Sequence, residues 1–180
     1  PVSSKKVLNL GIETIPSESV CYPAKLSHGH IMSLINLGIK TIFYPCIPYE
    51  YKEDNGANNH YNCPIVTSYP EVIKNNIDDI GIKEIKYLSP FLSFENKEKL
   101  YKRIYEVFKA YDVTFKEAKN AVDAAFIERE NAINDIRRKG EETLKYIEDR
   151  GIKGIVLSGR PYHIDPEINH GLTDIITSFN

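Results

Sequence analysis

Short apolar runs that stop at proline alternate with helical patterns at roughly 25-residue spacing, and this rhythm constrains the chain more than any other feature. Strands separated by helices cross over into a parallel sheet. Segment 12–15 (IETI) predicts a short strand stopped by Pro16, 39–44 (IKTIFY) a strand stopped by Pro45, and 84–88 (EIKYL) another. Segment 65–67 (IVT) is too short to assign. Between the strands, residues 23–37 predict a helix with Pro23 in its first turn and Gly38 just past its end. Residues 69–79 predict a second, because Ser68-x-x-Glu71 matches a capping box.

The pattern changes in the middle. Residues 94–111 form an amphipathic helix with Leu100, Ile104, Val107 and Phe108 on one side. Thr114-x-x-Glu117 then opens a helical run to about Asp149, which would extend roughly 50 Å at 1.5 Å per residue. Gly140 is the place where it would bend. After Gly151 the α/β pattern resumes: GIVLSG (154–159) predicts a strand, RPYHIDP a loop, and a helix follows from about Pro166. The expected fold is α/β, a parallel Rossmann-like sheet flanked by helices, with a long helical segment leading to a further strand–helix unit. The expected organisation is an α/β lobe at 1–93, a helical segment at 94–150, and at 151–180 either the start of a second lobe or an addition to the first sheet. Residues 50–62 (EYKEDNGANNHYN) form a long polar loop.

Bulk properties exclude several function classes. A formal net charge of −2 leaves no electrostatic footprint for nucleic acid or an anionic membrane. No apolar run approaches the roughly 18 residues that span a bilayer. The cysteines are Cys21, Cys46 and Cys63, an odd number without a secretory signal, which argues for a reducing, cytoplasmic setting rather than a disulfide framework.

Those cysteines are the best candidates for chemistry. Cys21 lies between a predicted strand and a predicted helix, whose N-terminal amides and dipole favour a thiolate. Cys46 directly follows strand 39–44. Ligands of an open parallel sheet bind beyond the carboxyl ends of its strands, so Cys21 and Cys46 should share that edge. Cys63 would lie at the amino end of 65–67 if that segment were a strand, which makes it the least secure of the three. Three thiolates suit an iron–sulfur cluster or zinc, yet no C-x-x-C is present. The alternatives are three independent buried thiols, or a Cys21 nucleophile with His28 as base, although nothing in the sequence orients that base. His28 and His30, two apart on a helix, point in different directions. A second constellation, SGRPYHIDPEINHG (158–171), offers Ser158, Gly159, Arg160 and His163 as an anion-binding turn. His163, Asp165, Glu167 and His170 also admit a metal reading; Asp165 as a helix cap with Pro166 behind it is the simpler one.

GIETIPSESVCYPAKLSHGHI, IFYPCIPYE, NHYNCPIVTSYPEVIKNNI and GIVLSGRPYHIDPEINHG together resemble the CoA-substrate-specific enzyme activases. The likeness falls in the region similar to subunits of the 2-hydroxyacyl-CoA dehydratase and benzoyl-CoA reductase systems of anaerobes, and it spans residues 3–177. It implies that the chain is an internal piece of a longer polypeptide. It also implies a [4Fe–4S] cluster on Cys21 and Cys46; the related dehydratase subunits draw a third cysteine from a later lobe, which this chain largely lacks, so Cys63 is the third candidate here, with Glu18, Lys25 and His28 shaping the surroundings. ATP is expected only elsewhere in the full-length protein. The implied partners are the activase ATPase domain or a dehydratase partner subunit, and the implied substrate class is an acyl-CoA. The alternative is a non-catalytic α/β interaction scaffold with structural cysteines.

Overall fold

The computed structural model describes residues 2–179. It divides into two compact units, Pro1–Glu95 with Gly159–Asn180, and Asn96–Ser158.

The first unit opens with α1 (Lys5–Gly11), capped by the Ser4 hydroxyl, and continues into a 3₁₀ turn at Ile12–Thr14. The strand expected at 12–15 does not form. The Thr14 hydroxyl donates to the Gly11 carbonyl at 2.8 Å, and that local bond winds the segment into a turn. Next come α2 (Tyr22–Asn36), β1 (Thr41–Phe43), β2 (Cys46–Tyr49), α3 (Pro64–Asn76), α4 (Asp78–Ile82), β3 (Lys86–Leu88) and β4 (Phe91–Ser93). The helix expected at 69–79 starts earlier, because Pro64 occupies its first turn, where a missing N–H costs nothing. Segment 65–67 is therefore helical, and Ser68 is no cap: its hydroxyl donates back to the Pro64 carbonyl.

Strand pairing is parallel but sparse. Thr41, Ile42 and Phe43 pair with Lys86, Tyr87 and Leu88, and Cys46 pairs with Phe91. In this register Pro45 falls opposite Pro90. Neither can donate an N–H, so the ladder is interrupted there and two two-stranded pairs result instead of one longer ribbon. The amides of Tyr44 and Cys46 still reach Leu88 and Pro90 carbonyls at 2.9 Å, which carries the alignment through the break. A full Rossmann-like sheet does not form among the described residues. The expected strand at 154–159 is also absent: Ile155 and Val156 are 72% and 89% exposed, with no neighbouring strand to satisfy their backbone.

The core of this unit gathers Ala24, Ile31 and Ile35 of α2, Tyr69 and Ile73 of α3, Ile42 of β1 and Tyr87 of β3. α2 and α3 precede β1 and β3, which are parallel, so both helices run in the same sense and their N-termini lie toward the carboxyl ends of those strands. At Gly11 and Gly29 the backbones of α1 and α2 touch. A Cβ on Gly29 would lie 2.0 Å from the Val7 carbonyl oxygen, which only glycine avoids. Later in the chain this unit holds a 3₁₀ turn (Pro161–Ile164) and α7 (Leu172–Thr177), a shorter and later helix than the one expected from Pro166.

The second unit contains α5 (Lys97–Phe108) and α6 (Phe115–Arg150). Asn96 caps α5, and the capping box at Thr114 and Glu117 opens α6. α6 continues through Gly140, so the bend anticipated there does not interrupt it, and it ends where Gly151 turns left-handed at φ 61°. Leu100 and Tyr101 of α5 and Ala118 and Val122 of α6 are its buried residues.

Candidate functional site

All three cysteines lie in the first unit, at the ends of elements. Cys21 is the N-cap residue of α2, and its carbonyl accepts from the amides of Ala24 and Lys25. Cys63 is the N-cap residue of α3. Neither side chain spends itself on a capping hydrogen bond, both residues are exposed, and no acidic residue stands in the first turn of either helix. Each thiol therefore sits at the N-terminal, positive end of a helix dipole. The sequence left 65–67 unassigned, with Cys63 at its amino end if it were a strand; the helix begun by Pro64 puts Cys63 at the same kind of position as Cys21.

Cys46 differs. It opens β2 and is 0% exposed. Burial pushes its thiol pKa up and the charge of Glu71 adds to this, while the Glu71 backbone amide and Lys74 pull the other way. Cys63 is tied to this strand by its neighbours. The Asn62 side-chain amide donates to the Ile47 carbonyl at 2.9 Å, the Asn62 backbone amide to Pro48 at 3.0 Å, and the Thr67 hydroxyl to Ile47 at 3.3 Å. Residues on either side of Cys63 are thus bonded to the carbonyls that follow Cys46.

Three tyrosines bridge the remaining space. Tyr69 of α3 is pushed up to about 12, first by burial, then by the charges of Cys21 and Tyr44. Tyr87 of β3 is raised by burial, then by Tyr44, Cys46 and Glu71, and its hydroxyl donates to the Pro70 carbonyl. Tyr44 acts on both. None of the three was singled out from the sequence, although Tyr44 and Tyr69 each stand beside a proline at the end of a predicted strand or in a predicted helix start. Glu71, also passed over except as a cap, accepts from the Ser89 hydroxyl.

Of the residues expected around the cysteines, Lys25 donates to the Glu18 carbonyl at 2.7 Å and closes the loop that presents Cys21; the Glu18 side chain is exposed. His28 is 0% exposed, with Nδ1 at 2.7 Å from the Thr14 hydroxyl and Nε2 at 3.0 Å from the Tyr69 hydroxyl. His30 turns the other way, to the Ser3 hydroxyl at 3.1 Å.

The second constellation adjoins the first. The Tyr22 hydroxyl, on the residue after Cys21, donates to the Glu167 carboxylate at 2.6 Å, and its ring meets that of His170. Burial, then Glu167, pushes the Tyr22 pKa up to about 12. Asp165 accepts from the amides of Glu167 and Ile168, and although burial works against its charge, the Ser3 hydroxyl and those amides hold the carboxyl below its usual range. Ser158, Gly159, Arg160 and His163 are exposed, and His163 Nδ1 takes the Arg160 amide at 3.0 Å, so that amide is committed within the turn.

Among the described residues no three Cys, His, Asp or Glu side chains surround one point closely enough to hold a single metal ion. No helix among them is long and apolar enough to cross a membrane. Comparison with the curated proteins and with the solved structures returns no match. A family model described as the CoA enzyme activase uncharacterised domain matches residues 1–180. With the whole chain covered, the protein belongs to the family of CoA enzyme activase domains.

Proposed function

We propose that this domain is the thiol-bearing redox module of a CoA enzyme activase, in which Cys21, Cys46 and Cys63 bind a [4Fe–4S] cluster that takes part in ATP-driven, low-potential electron transfer. The observation that carries this reading is the common setting of the cysteines: two cap helices that run in the same sense, and the third opens the strand to which Cys63's flanks are bonded. ATP belongs to the ATPase part of the activase, and the electron acceptor is a partner enzyme of the dehydratase kind acting on an acyl-CoA.

The donor set suits such a group. Thiolates are the ligands of iron–sulfur clusters, and a cluster spreads them over several irons, so three donors around one point are not required. When bound, it supplies a one-electron carrier whose potential responds to hydrogen bonds and solvent exposure at its sulfurs. The chain's own part is to present the sulfurs and tune them. Glu71 and Lys74 set the electrostatics around Cys46, and the Lys25–Glu18 bond orders the approach to Cys21. Burial keeps Cys46 protonated, so on binding iron its thiol would release its proton to solvent, a loss that the metal's charge would favour. Full burial of Cys46 is also what favours the second reading, an α/β interaction scaffold with structural cysteines.

Anaerobic purification from cluster-competent cells, with iron, sulfide and visible absorption measured, separates the two. The redox reading expects bound iron and sulfide, lost in Cys21→Ala, Cys46→Ala and Cys63→Ala. Colourless, iron-free protein would leave the scaffold. Iron retained in one variant removes that cysteine from the ligand set.

A further inference from the structure

His28 is buried in a contact where an aliphatic residue would pack at no polar cost. An imidazole placed there demands partners for both ring nitrogens, because each one left unsatisfied costs about 1–3 kcal/mol. Two elements supply them, the 3₁₀ turn and α3. The glycine contact at Gly11 and Gly29 draws α1 onto α2 and brings the 3₁₀ turn, with Thr14, against the ring. Thr14 already donates to the Gly11 carbonyl, so its oxygen accepts, and His28 carries its proton on Nδ1. Nε2 is then a bare acceptor, and the Tyr69 hydroxyl donates to it. The ring has one tautomer, one orientation and one partner on α3.

Its place along the helices gives this bond a consequence. His28 lies seven residues past Cys21, and Tyr69 six past Cys63, about 10 Å and 9 Å of helical rise. The two helices are thus pinned at nearly equal depth below their cysteine caps. Apolar side chains tolerate sliding, whereas a directional hydrogen bond does not; a single buried polar pair is a known way of fixing helix register. We propose that His28 is a positioning residue: through Tyr69 it sets the axial register of α3 against α2, and with it the spacing of Cys21 and Cys63. The inference shares its cysteines with the redox reading but needs no iron, so either can fail while the other stands.

The test places nitroxide labels on Cys21 and Cys63 of the whole chain carrying Cys46→Ala, and measures their dipolar coupling without metal. The parent should show one narrow distance distribution. Tyr69→Phe removes a single oxygen atom and should widen it at least about twofold, since a helix freed from its register can shift by up to a turn, about 5.4 Å. His28→Leu should do the same, and His28→Gln, able to donate to Thr14 and accept from Tyr69, should restore the narrow distribution. A merely structural role would lower melting temperatures and leave the distribution as it was. Unchanged distributions in folded Tyr69→Phe and His28→Leu, or a broad one in the parent, overturn the proposal.

Discussion

Acid should destabilise this protein through His28 in a way that one substitution removes. Burial pushes the His28 pKa down from its ordinary 6.5 to about 4, because the imidazolium would lose its water without gaining a counter-charge. Between those two values the unfolded chain binds a proton that the folded chain refuses, so stability rises with pH through the window. The contribution is complete above about pH 6.5 and is lost as the pH falls toward 4. From pH 7.5 to 4.5 the loss amounts to about 2.5 kcal/mol, at 1.36 kcal/mol per pH unit of displacement. For a chain of this size that lowers the melting temperature by roughly 5–10 °C. Neither partner of the ring, Thr14 on the 3₁₀ turn or Tyr69 on α3, changes charge in this range. His30 and the carboxylates do titrate, but equally in the wild type and in His28→Gln. Urea unfolding of both proteins at a series of pH values, followed by circular dichroism, isolates the difference. The wild type should lose about 2.5 kcal/mol more than the variant on acidification. Equal losses would mean that the folded protein protonates His28 at no cost, and the buried, neutral, single-tautomer imidazole would have to be abandoned.

Gly29→Ala should separate α1 from α2, since the new methyl group would lie 2.0 Å from the Val7 carbonyl oxygen, a backbone atom that cannot swing aside. A loss of at least about 1–3 kcal/mol is expected, together with faster amide exchange throughout α1, read by hydrogen-exchange mass spectrometry. Tyr22→Phe deletes the hydroxyl that reaches Glu167 across 145 residues of sequence. Amides of 165–171 should exchange faster by about tenfold, from the roughly 1.5 kcal/mol of a hydrogen bond to a charged group, while those of α1 stay unchanged.

Elements governed by short-range chemistry were readable in the sequence. The Thr114–Glu117 box, the period of the helix behind it, and the proline-stopped runs of β1 and β3 each depend on residues a few positions apart. Helix 23–37 was readable for the same reason. Segments 12–15, 65–67 and 154–159 carry apolar, β-branched residues like those of the real strands, but a strand exists only where a partner accepts its backbone bonds. The first closed into a turn through Thr14, the second fell inside the helix begun by Pro64, and the third stayed exposed.

The same division holds for the candidate site. The sequence alone determined that three cysteines occur close together in the chain, that Cys21 precedes a helix, and that Cys46 follows a strand. Only the tertiary structure decided that Cys63 caps a helix in the manner of Cys21, that Asn62 bonds its approach to β2, and that His28 faces Tyr69. It also brought Glu167 to the residue beside Cys21. These are directional contacts between residues far apart in the chain, and no local periodicity encodes them. They arise when two helices and a strand pack against one core and their polar groups must find partners out of reach of water.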